Sequence, residues 1–135
     1  MREILFKAKH KNWRELPKEE WWVEGYPVKY QPCASKEEWI YGIVPTYASA
    51  LYIIEIDPET LCQYIYMNDK NGKRIWENDI IKHEISGTIG TVRWYSEDYV
   101  GWCADDVYVD QQQFTDEMWS ECEVIGNIFD DKYLL

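Results

Sequence analysis

The chain has 135 residues, with 25 acidic side chains against 14 Lys and Arg, a net charge of −11 and a pI of about 4.6. This length is typical of one domain or of two small, tightly joined lobes. The negative charge disfavours direct binding to DNA or RNA, because nucleic-acid affinity comes largely from basic side chains that neutralise phosphates. The sequence contains no run of about 18 apolar residues, so we expect no membrane span.

The first half of the chain predicts short β-strands. Residues 2–8 alternate, with Ile4, Phe6 and Ala8 on one face, which is typical of a half-buried strand. Pro27 interrupts the next β-rich run, so we expect an edge strand or a bent one there, because proline cannot donate to a β-ladder. The predicted elements are strands at 2–8, 21–30, 40–44 and 51–56, a polar loop at 9–20 and a helical turn at 35–38.

The second half continues with short strands separated by turns. Asp57 and Pro58 end one strand and begin a turn. Asn71 and Gly72 form the strongest hairpin signal, because a type I′ turn needs two residues that tolerate a positive φ. The remaining predicted elements are strands at 75–83, 88–95, 99–103, 107–109 and 123–128, a turn at 96–98 and one helical turn at 115–122.

Short strands, frequent turns and the lack of a long helical period favour a mainly β chain with little helix. We expect short N-terminal strands, within residues 1–66, to pack on a C-terminal part, residues 67–135, that forms a small SH3-like β-barrel of about five strands. No linker separates the two parts, so residues 1–135 are expected to form a single structural unit.

The aromatic content is high, with 8 Trp and 11 Tyr residues. Such side chains favour a pleated core, and they also dominate the energetics of protein interfaces. This number of tryptophans exceeds what one small core needs, which leaves room for an exposed recognition patch. A basic cluster near the N-terminus is interpreted as a solvated arm rather than a nucleic-acid site. It consists of Lys7, Lys9, His10, Lys11 and Arg14.

The cysteines and histidines show no metal-binding spacing. Zinc ligands usually include pairs a few residues apart, whereas Cys33, Cys62, Cys103 and Cys122 are well separated and each histidine is isolated. The chain has no apolar leader at its start, so we expect a protein of the cytoplasm whose thiols are reduced and buried.

The sequence carries no catalytic signature. Acidic neighbours arise by chance among 25 acidic residues, whereas glycosidase chemistry needs two carboxylates that face each other across a cleft. We find no nucleophile elbow and no phosphate-binding glycine loop. The run Asp69 to Gly72 lacks the spacing of a calcium loop. We therefore predict no enzyme activity, no cofactor and no metal.

Four blocks of the sequence resemble the YopX family of phage and prophage proteins, in order and from one end of the chain to the other. The matching positions are Arg2, Ile4 and Phe6, then Trp22, Val23 and Gly25, then Ile56, Asp57, Pro58, Thr60, Gln63, Tyr64, Asp69, Asn71, Gly72, Ile75, Glu77, Asp79 and Ile80, and finally Glu123 to Ile128 with Asp130, Asp131, Leu134 and Leu135. Residues 29–50 and 96–120 have no strong counterpart. The resemblance implies a protein of phages or prophages and brings no established activity.

Asn78 departs from this resemblance, because glycine is the more usual family residue at that position. Asn tolerates the left-handed backbone conformation well and Gly better still. We therefore predict a positive φ at Asn78, in a turn that the Asp79 side chain fixes through backbone N–H groups. Structural turn roles are assigned to Asp57, Pro58, Asn71, Gly72, Glu77, Asn78, Asp79 and Gly126.

Two functional hypotheses follow, and a third, a cryptic hydrolase, ranks below them. The first is a non-enzymatic phage or prophage accessory protein of the host bacterial cytoplasm that binds an unidentified host or phage protein through aromatic anchors. The second is an acidic decoy that imitates nucleic acid and occupies a host DNA-binding protein. We also expect a homo-oligomer, because a second copy tends to cover unpaired strand edges and surplus aromatic side chains.

Overall fold

The computed structural model describes residues 4–33, 38–48, 52–96, 100–107 and 115–135. The chain forms two compact units, Met1–Gln63 (unit 1) and Tyr64–Leu135 (unit 2). The described residues are mainly β, with ten strands, one α-helix and four single-turn 3₁₀ helices, which confirms the predicted class. A single structural unit over residues 1–135 stays a prediction.

Unit 1 contains an antiparallel sheet. Its strands are β1 (Phe6–Lys9), β2 (Trp22–Tyr30), β3 (Ile40–Pro45), β4 (Ile54–Glu55) and the start of β5 (Cys62–Asn68). The strand order is β4-β3-β2-β1-β5. Single 3₁₀ turns lie at Trp13–Glu15 and Lys18–Glu20, within the predicted polar loop, and at Pro58–Thr60.

One face of this sheet forms the core of unit 1. Because opposite residues of an antiparallel pair share a face, Ala8 lies beside Val23, and Ile43 lies beside Ile54. The core consists of Ala8, Val23, Ile43 and Ile56, with Phe6, Ile54 and Leu61 packed against it. The predicted alternation fails before Phe6, because β1 begins there: Ile4 is 58% exposed and Leu5 is buried.

Of the two alternatives predicted for residues 21–30, an edge strand or a bent one, the edge strand is wrong, because β2 lies between β3 and β1 in the sheet order. β2 pairs with β1 from Trp22 to Gly25 and with β3 from Gly25 to Tyr30. Pro27 is accommodated because the described part of β1 reaches only as far as Gly25, so the missing N–H of proline interrupts no bond to β1. β2 therefore pairs with a different neighbour along each half, and with both of them at Gly25.

Unit 2 contains a second antiparallel sheet. Its elements are β6 (Arg74–Trp76), β7 (Asp79–His83), β8 (Ile89–Tyr95), β9 (Gly101–Asp105), α1 (Asp116–Ser120) and β10 (Cys122–Asn127). The sheet has the order β10-β7-β8-β9, and β6 pairs with the second part of β5. Among the described residues this ladder is open, with β9 and β10 as its outer strands, so the SH3-like detail stays a prediction.

The core of unit 2 lies against this sheet, and the predicted helical turn is present as α1. It buries Met118 and Trp119. Val92 and Ala104 are opposite each other and buried, while Trp94 beside them on the same face is 53% exposed. The core consists of Ile65, Ile75, Ile81, Val92, Ala104, Val107, Trp119, Cys122 and Val124.

Six predicted elements lie partly outside the described residues: the strands at 2–8, 51–56, 99–103 and 107–109, the helical turn at 35–38 and the turn at 96–98.

The cysteines are free thiols. Cys62, Cys103 and Cys122 are buried as predicted, but Cys33 is exposed. The Cys122 thiol donates to the carbonyl oxygen of Met118 at 3.2 Å. Burial, together with the nearby carboxylates of Glu121 and Asp69, raises the pKa of Cys122 from 9.0 to about 12.

This shift predicts a pH dependence. Because the folded protein holds the Cys122 proton more tightly than the unfolded chain does, this group leaves stability unchanged below pH 9.0 and lowers it as the pH rises towards about 12. At neutral pH, iodoacetamide should alkylate Cys33 and spare Cys122, as peptide mass spectrometry would show. Equal labelling of the two thiols in folded protein would contradict the burial.

Candidate functional site

The turn at Asn71 and Gly72 joins β5 to β6, but its type differs from the prediction. Only Gly72 has a positive φ, of 78°. The Gly72 N–H donates to the Asp69 carbonyl at 3.0 Å, and the Asp69 N–H donates to the Lys73 carbonyl at 2.8 Å. Such longer hairpin loops place one glycine in the left-handed region. The predicted type I′ turn is therefore wrong, although the hairpin lies where it was expected.

Asp69 explains why this turn is longer. Its carboxylate is buried and accepts the N–H groups of Asn71 at 2.8 Å and Lys73 at 2.9 Å, and that of Val124 in β10 at 3.0 Å. One side chain thus closes the turn and ties it to the neighbouring strand. Because all three donors are backbone N–H groups, the role of Asp69 is structural.

The turn from Glu77 to Asp79 has the predicted geometry. Asn78 has a φ of 69°, in the left-handed region, and the Asp79 carboxylate accepts the Trp76 N–H at 2.8 Å. The Asn78 N–H donates to Val92 at 2.9 Å, and the Asn78 carbonyl accepts the Ile128 N–H at 3.0 Å. These two hydrogen bonds therefore attach the turn to β8 and to the residue that follows β10.

Gly126 lies close to this turn, in β10 opposite Ile80 and beside a register shift. A Cβ at this position would lie 2.6 Å from a carboxylate oxygen of Asp131, which itself accepts the Asn127 N–H at 3.1 Å. The glycine thus makes room for a side chain that fixes the next turn.

Asp57 and Pro58 act in unit 1. The Asp57 side chain accepts the Glu59 N–H at 3.2 Å at the start of the 3₁₀ turn, and its second oxygen accepts the indole N–H of Trp13 at 3.2 Å. Asp57 therefore fixes the start of this 3₁₀ turn and contacts the Trp13 ring. The turn role of Glu77 stays a prediction.

A basic side chain that the sequence placed in a solvated arm is in fact buried. Lys9 is 1% exposed. Its ammonium lies 3.7 Å from the ring centroid of Trp13, 4.3 Å from that of Trp21 and 5.5 Å from that of Trp22. The indole faces carry partial negative charge, so they attract the ammonium at short range. We call Lys9 with Trp13, Trp21 and Trp22 the tryptophan cage.

Backbone bonds hold the cage over β1. The His10 N–H donates to the Trp21 carbonyl at 3.0 Å, and the Trp13 N–H donates to the His10 carbonyl at 3.0 Å. The indole N–H of Trp21 donates to the Leu16 carbonyl at 2.9 Å. The segment between β1 and β2 is therefore folded back on the sheet rather than extended as an arm.

This folded segment borders two depressions that share His10 and Asn12. The basic depression, of about 600 Å³, is lined by His10, Lys11, Asn12, Arg14, Glu15, Ile54 and Glu55. The aromatic depression, of about 580 Å³, is lined by His10, Asn12, Leu16, Glu20, Trp22, Val23, Glu24, Thr46 and Tyr47.

The charges in the basic depression are largely balanced. Lys11 forms an ion pair with Glu55 at 3.2 Å. Both side chains are substantially exposed, so the pair contributes little to the stability of the fold. The Arg14 guanidinium lies 4.3 Å from the Trp13 ring centroid. This depression therefore offers no concentrated charge to a ligand.

The sequence predicts that His83 is isolated, whereas the structure places it in a polar cluster at the β7–β8 turn of unit 2. His83 Nδ1 lies 2.8 Å from Ser86 Oγ, and Nε2 lies 3.0 Å from Glu121. The chain of contacts from Ser86 through His83 to Glu121 resembles that of a nucleophile, a base and an orienting carboxylate. However, the N–H groups of Ser86, Gly87 and Thr88 are already donated within the turn, so none of them is left to stabilise an oxyanion.

The described ranges contain no group of three or more His, Cys, Asp or Glu side chains arranged to hold a metal ion. In that part of the chain, every helix is too short or too polar to cross a bilayer.

Asn78 gives a test of the left-handed turn. Asn78→Gly should leave the free energy of unfolding unchanged or slightly raised, because glycine adopts this φ without strain. Asn78→Val should lower it by about 1–3 kcal/mol, because a β-branched side chain is strained there. Urea unfolding measures both variants, and equal stability of the two would refute the turn geometry.

Lys9 gives a test of the cage. Lys9→Ala should lower the free energy of unfolding by about 2–5 kcal/mol, because it empties a buried volume between the rings. Lys9→Met keeps most of the stem and should lose less. Lys11→Ala is the matched control, and it should cost at most about 1 kcal/mol because its ion pair is exposed. Tryptophan fluorescence in urea reports all three, and a Lys9→Ala variant as stable as Lys11→Ala would rule out the cage.

In a comparison with known protein families, residues 17–135 match the family model described as YopX protein. No curated protein matches the chain. The matched region covers nearly the whole chain. It includes Trp21 and Trp22 of the tryptophan cage, the lining of the aromatic depression except His10, Asn12 and Leu16, and the turns at Asp57, Asn71 and Asn78. The chain belongs to the YopX protein family.

Proposed function

We propose that this protein is a non-enzymatic accessory protein of a phage or prophage that acts in the host cytoplasm by binding another protein. The observation that carries the proposal is the number of large aromatic side chains that unit 1 leaves exposed. They are Tyr26 (50%), Trp39 (47%), Tyr41 (38%), Tyr47 (76%) and Tyr52 (51%). Exposed aromatic groups of this size are enriched in the central, energetically dominant parts of protein interfaces.

The register of the β2–β3 pair explains the exposure of Tyr26. Tyr26 lies opposite Val44, and Val28 lies opposite Gly42, so these positions share the face of the sheet that is turned away from the core. A Cβ on Gly42 would lie 2.5 Å from a methyl group of Ile53. The missing side chain of Gly42 therefore leaves room for the Ile53 side chain to lie across the sheet. The result is an apolar face with Tyr26 at its edge.

A second exposed site lies at the far end of the same strand pair. Lys29 is opposite Tyr41, and its ammonium lies 4.6 Å from the ring centroid of Trp39 and 5.5 Å from that of Tyr41. The lysine orders the two rings while leaving each of them about half accessible. Ordered, accessible rings lose little conformational entropy on binding, which supports a role as anchors.

The decoy hypothesis is favoured by a different observation, the distribution of charge. Unit 2 carries 15 acidic and 6 basic side chains, whereas unit 1 carries 10 acidic and 8 basic side chains. An acidic decoy would therefore use unit 2 to attract a basic partner over a long range. We place this hypothesis second, because several carboxylates of unit 2 are committed to turns or ion pairs, among them Asp69, Asp79 and Asp105.

Two structural proposals accompany this function. A homo-oligomer, most simply a dimer, would cover the outer strands of the sheets, and light scattering measures its mass directly. An SH3-like arrangement of residues 67–135 would extend the antiparallel ladder of β7 to β10, and an experimental structure of the whole chain tests it.

The two functions respond differently to salt. A partner held by aromatic anchors should stay bound to the immobilised protein at about 0.5 M salt, whereas a decoy complex should dissociate, because screening weakens long-range attraction. The double variant Tyr26→Ala, Trp39→Ala should lose the partner, and the control Tyr133→Ala in unit 2, which removes an 81% exposed ring, should retain it. Pull-down from a bacterial lysate reads out both comparisons.

Three outcomes would count against the leading proposal. Loss of the partner on addition of salt would favour the decoy. Equal capture of the partner by the double variant and by the control would show that Tyr26 and Trp39 are not the anchors. Tight, salt-sensitive binding of duplex DNA in a gel shift would overturn both hypotheses.

A further inference from the structure

The aromatic depression combines three kinds of wall. Trp22 and Tyr47 contribute rings, Leu16 contributes aliphatic surface, and Glu20 and Glu24 contribute carboxylates. The lining contains no Lys or Arg side chain. Rings together with carboxylates attract an ammonium or guanidinium group, because both present negative charge to it. Aliphatic walls beside them suit the methylene stem of a long cationic side chain.

The carboxylates of this depression differ in their surroundings. Glu24 lies opposite Lys7 in the β1–β2 register. Glu20 is exposed in its 3₁₀ turn, and among the described residues its carboxylate makes no ion pair or hydrogen bond. Glu20 is therefore available to a ligand, whereas Glu24 already has a basic neighbour.

The rings lie on backbone that is fixed. Trp22 belongs to β2, where it pairs with Lys9. Tyr47 follows β3 in a turn in which the Thr46 N–H donates to the Glu24 carbonyl at 3.1 Å and the Ala48 N–H donates to the Pro45 carbonyl at 3.1 Å. Tyr47 is nevertheless 76% exposed, so much of its ring surface remains for a ligand to cover.

Trp22 already contacts two cations of this chain. The ammonium groups of Lys7 and Lys9 lie 4.7 Å and 5.5 Å from its ring centroid. These contacts show that ammonium groups approach the indole rings of this region, and the ring that the depression leaves most accessible is that of Tyr47. The net charge of −11 adds a long-range attraction for cationic partners.

We propose that the aromatic depression is a binding site for a lysine or arginine side chain from a basic segment of the partner protein. This inference rests on the proposed protein-binding function and specifies the chemistry of the partner. An acidic segment would be repelled by Glu20 and Glu24, and a purely apolar side chain would desolvate the Glu20 carboxylate without compensating it.

The test uses the full-length protein and a fluorescein-labelled arginine homopeptide, with a glutamate homopeptide as the negative probe. Fluorescence anisotropy at about 0.15 M salt gives the dissociation constants. Glu20→Gln and Tyr47→Ala should each weaken binding of the arginine peptide about tenfold, because each removes a direct contact with the cation.

Each variant has a matched control. Glu19→Gln removes the same charge from the neighbouring position of the same 3₁₀ turn, and Glu19 does not line the depression. Tyr52→Ala removes a ring that is 51% exposed and also lies outside it. Both controls should change the dissociation constant less than about twofold, because they affect only diffuse attraction. A thermal melt confirms that all four variants fold.

Two results would overturn the inference: equal weakening by Glu20→Gln and Glu19→Gln, or no preference of the protein for the arginine peptide over the glutamate peptide. Either result leaves the proposed function standing if the partner captured from lysate is still lost in the Tyr26→Ala, Trp39→Ala variant. If that variant also retains its partner, the assignment of Tyr26 and Trp39 as anchors fails together with the inference.

Discussion

Burial of one lysine determines how the N-terminal third of unit 1 is arranged. A buried ammonium is tolerable only where other groups replace the water it loses, and in this chain indole faces do so within 3.7 to 5.5 Å of the Lys9 ammonium. Trp13 and Trp21 can reach Lys9 only if the segment between β1 and β2 folds back over the sheet. That fold-back forms walls of both depressions, so the candidate site depends on a contact made underneath it.

Carboxylates that accept backbone N–H groups perform a comparable task at the turns. Short strands leave many backbone groups unpaired at their ends, and buried N–H groups need partners. These partners are supplied by the carboxylates of Asp57, Asp69 and Asp79, each of which accepts a backbone N–H group within a few residues of itself. Asp69 also reaches Val124, 55 positions away in the sequence. The acidic composition of this chain is therefore partly a structural requirement, which reduces the share of its negative charge that is available to partners.

Some of the site could be read from the sequence and some could not. The positive φ of Asn78 was predictable, because the choice between Asn and Gly at one position reflects a local backbone requirement. The tryptophan cage was not, because its members span residues 9 to 22 and no periodic pattern links a lysine on a strand to rings in an irregular segment. Tyr47 was equally hidden, since its exposure depends on the turn after β3 and on what that turn packs against.

The sequence by itself determined the β class, the position of most strands and turns, and the membership of a family, because these depend on local patterns of side-chain alternation, turn residues and ordered motifs. Only the tertiary structure decided that Lys9 is buried, that β2 lies between β1 and β3, and that the Asn71–Gly72 turn is of the longer kind. Each of these outcomes depends on partners distant in the sequence: indole rings, the length of β1 and the carboxylate of Asp69. Sequence patterns record what a residue prefers, whereas packing decides which neighbour it meets.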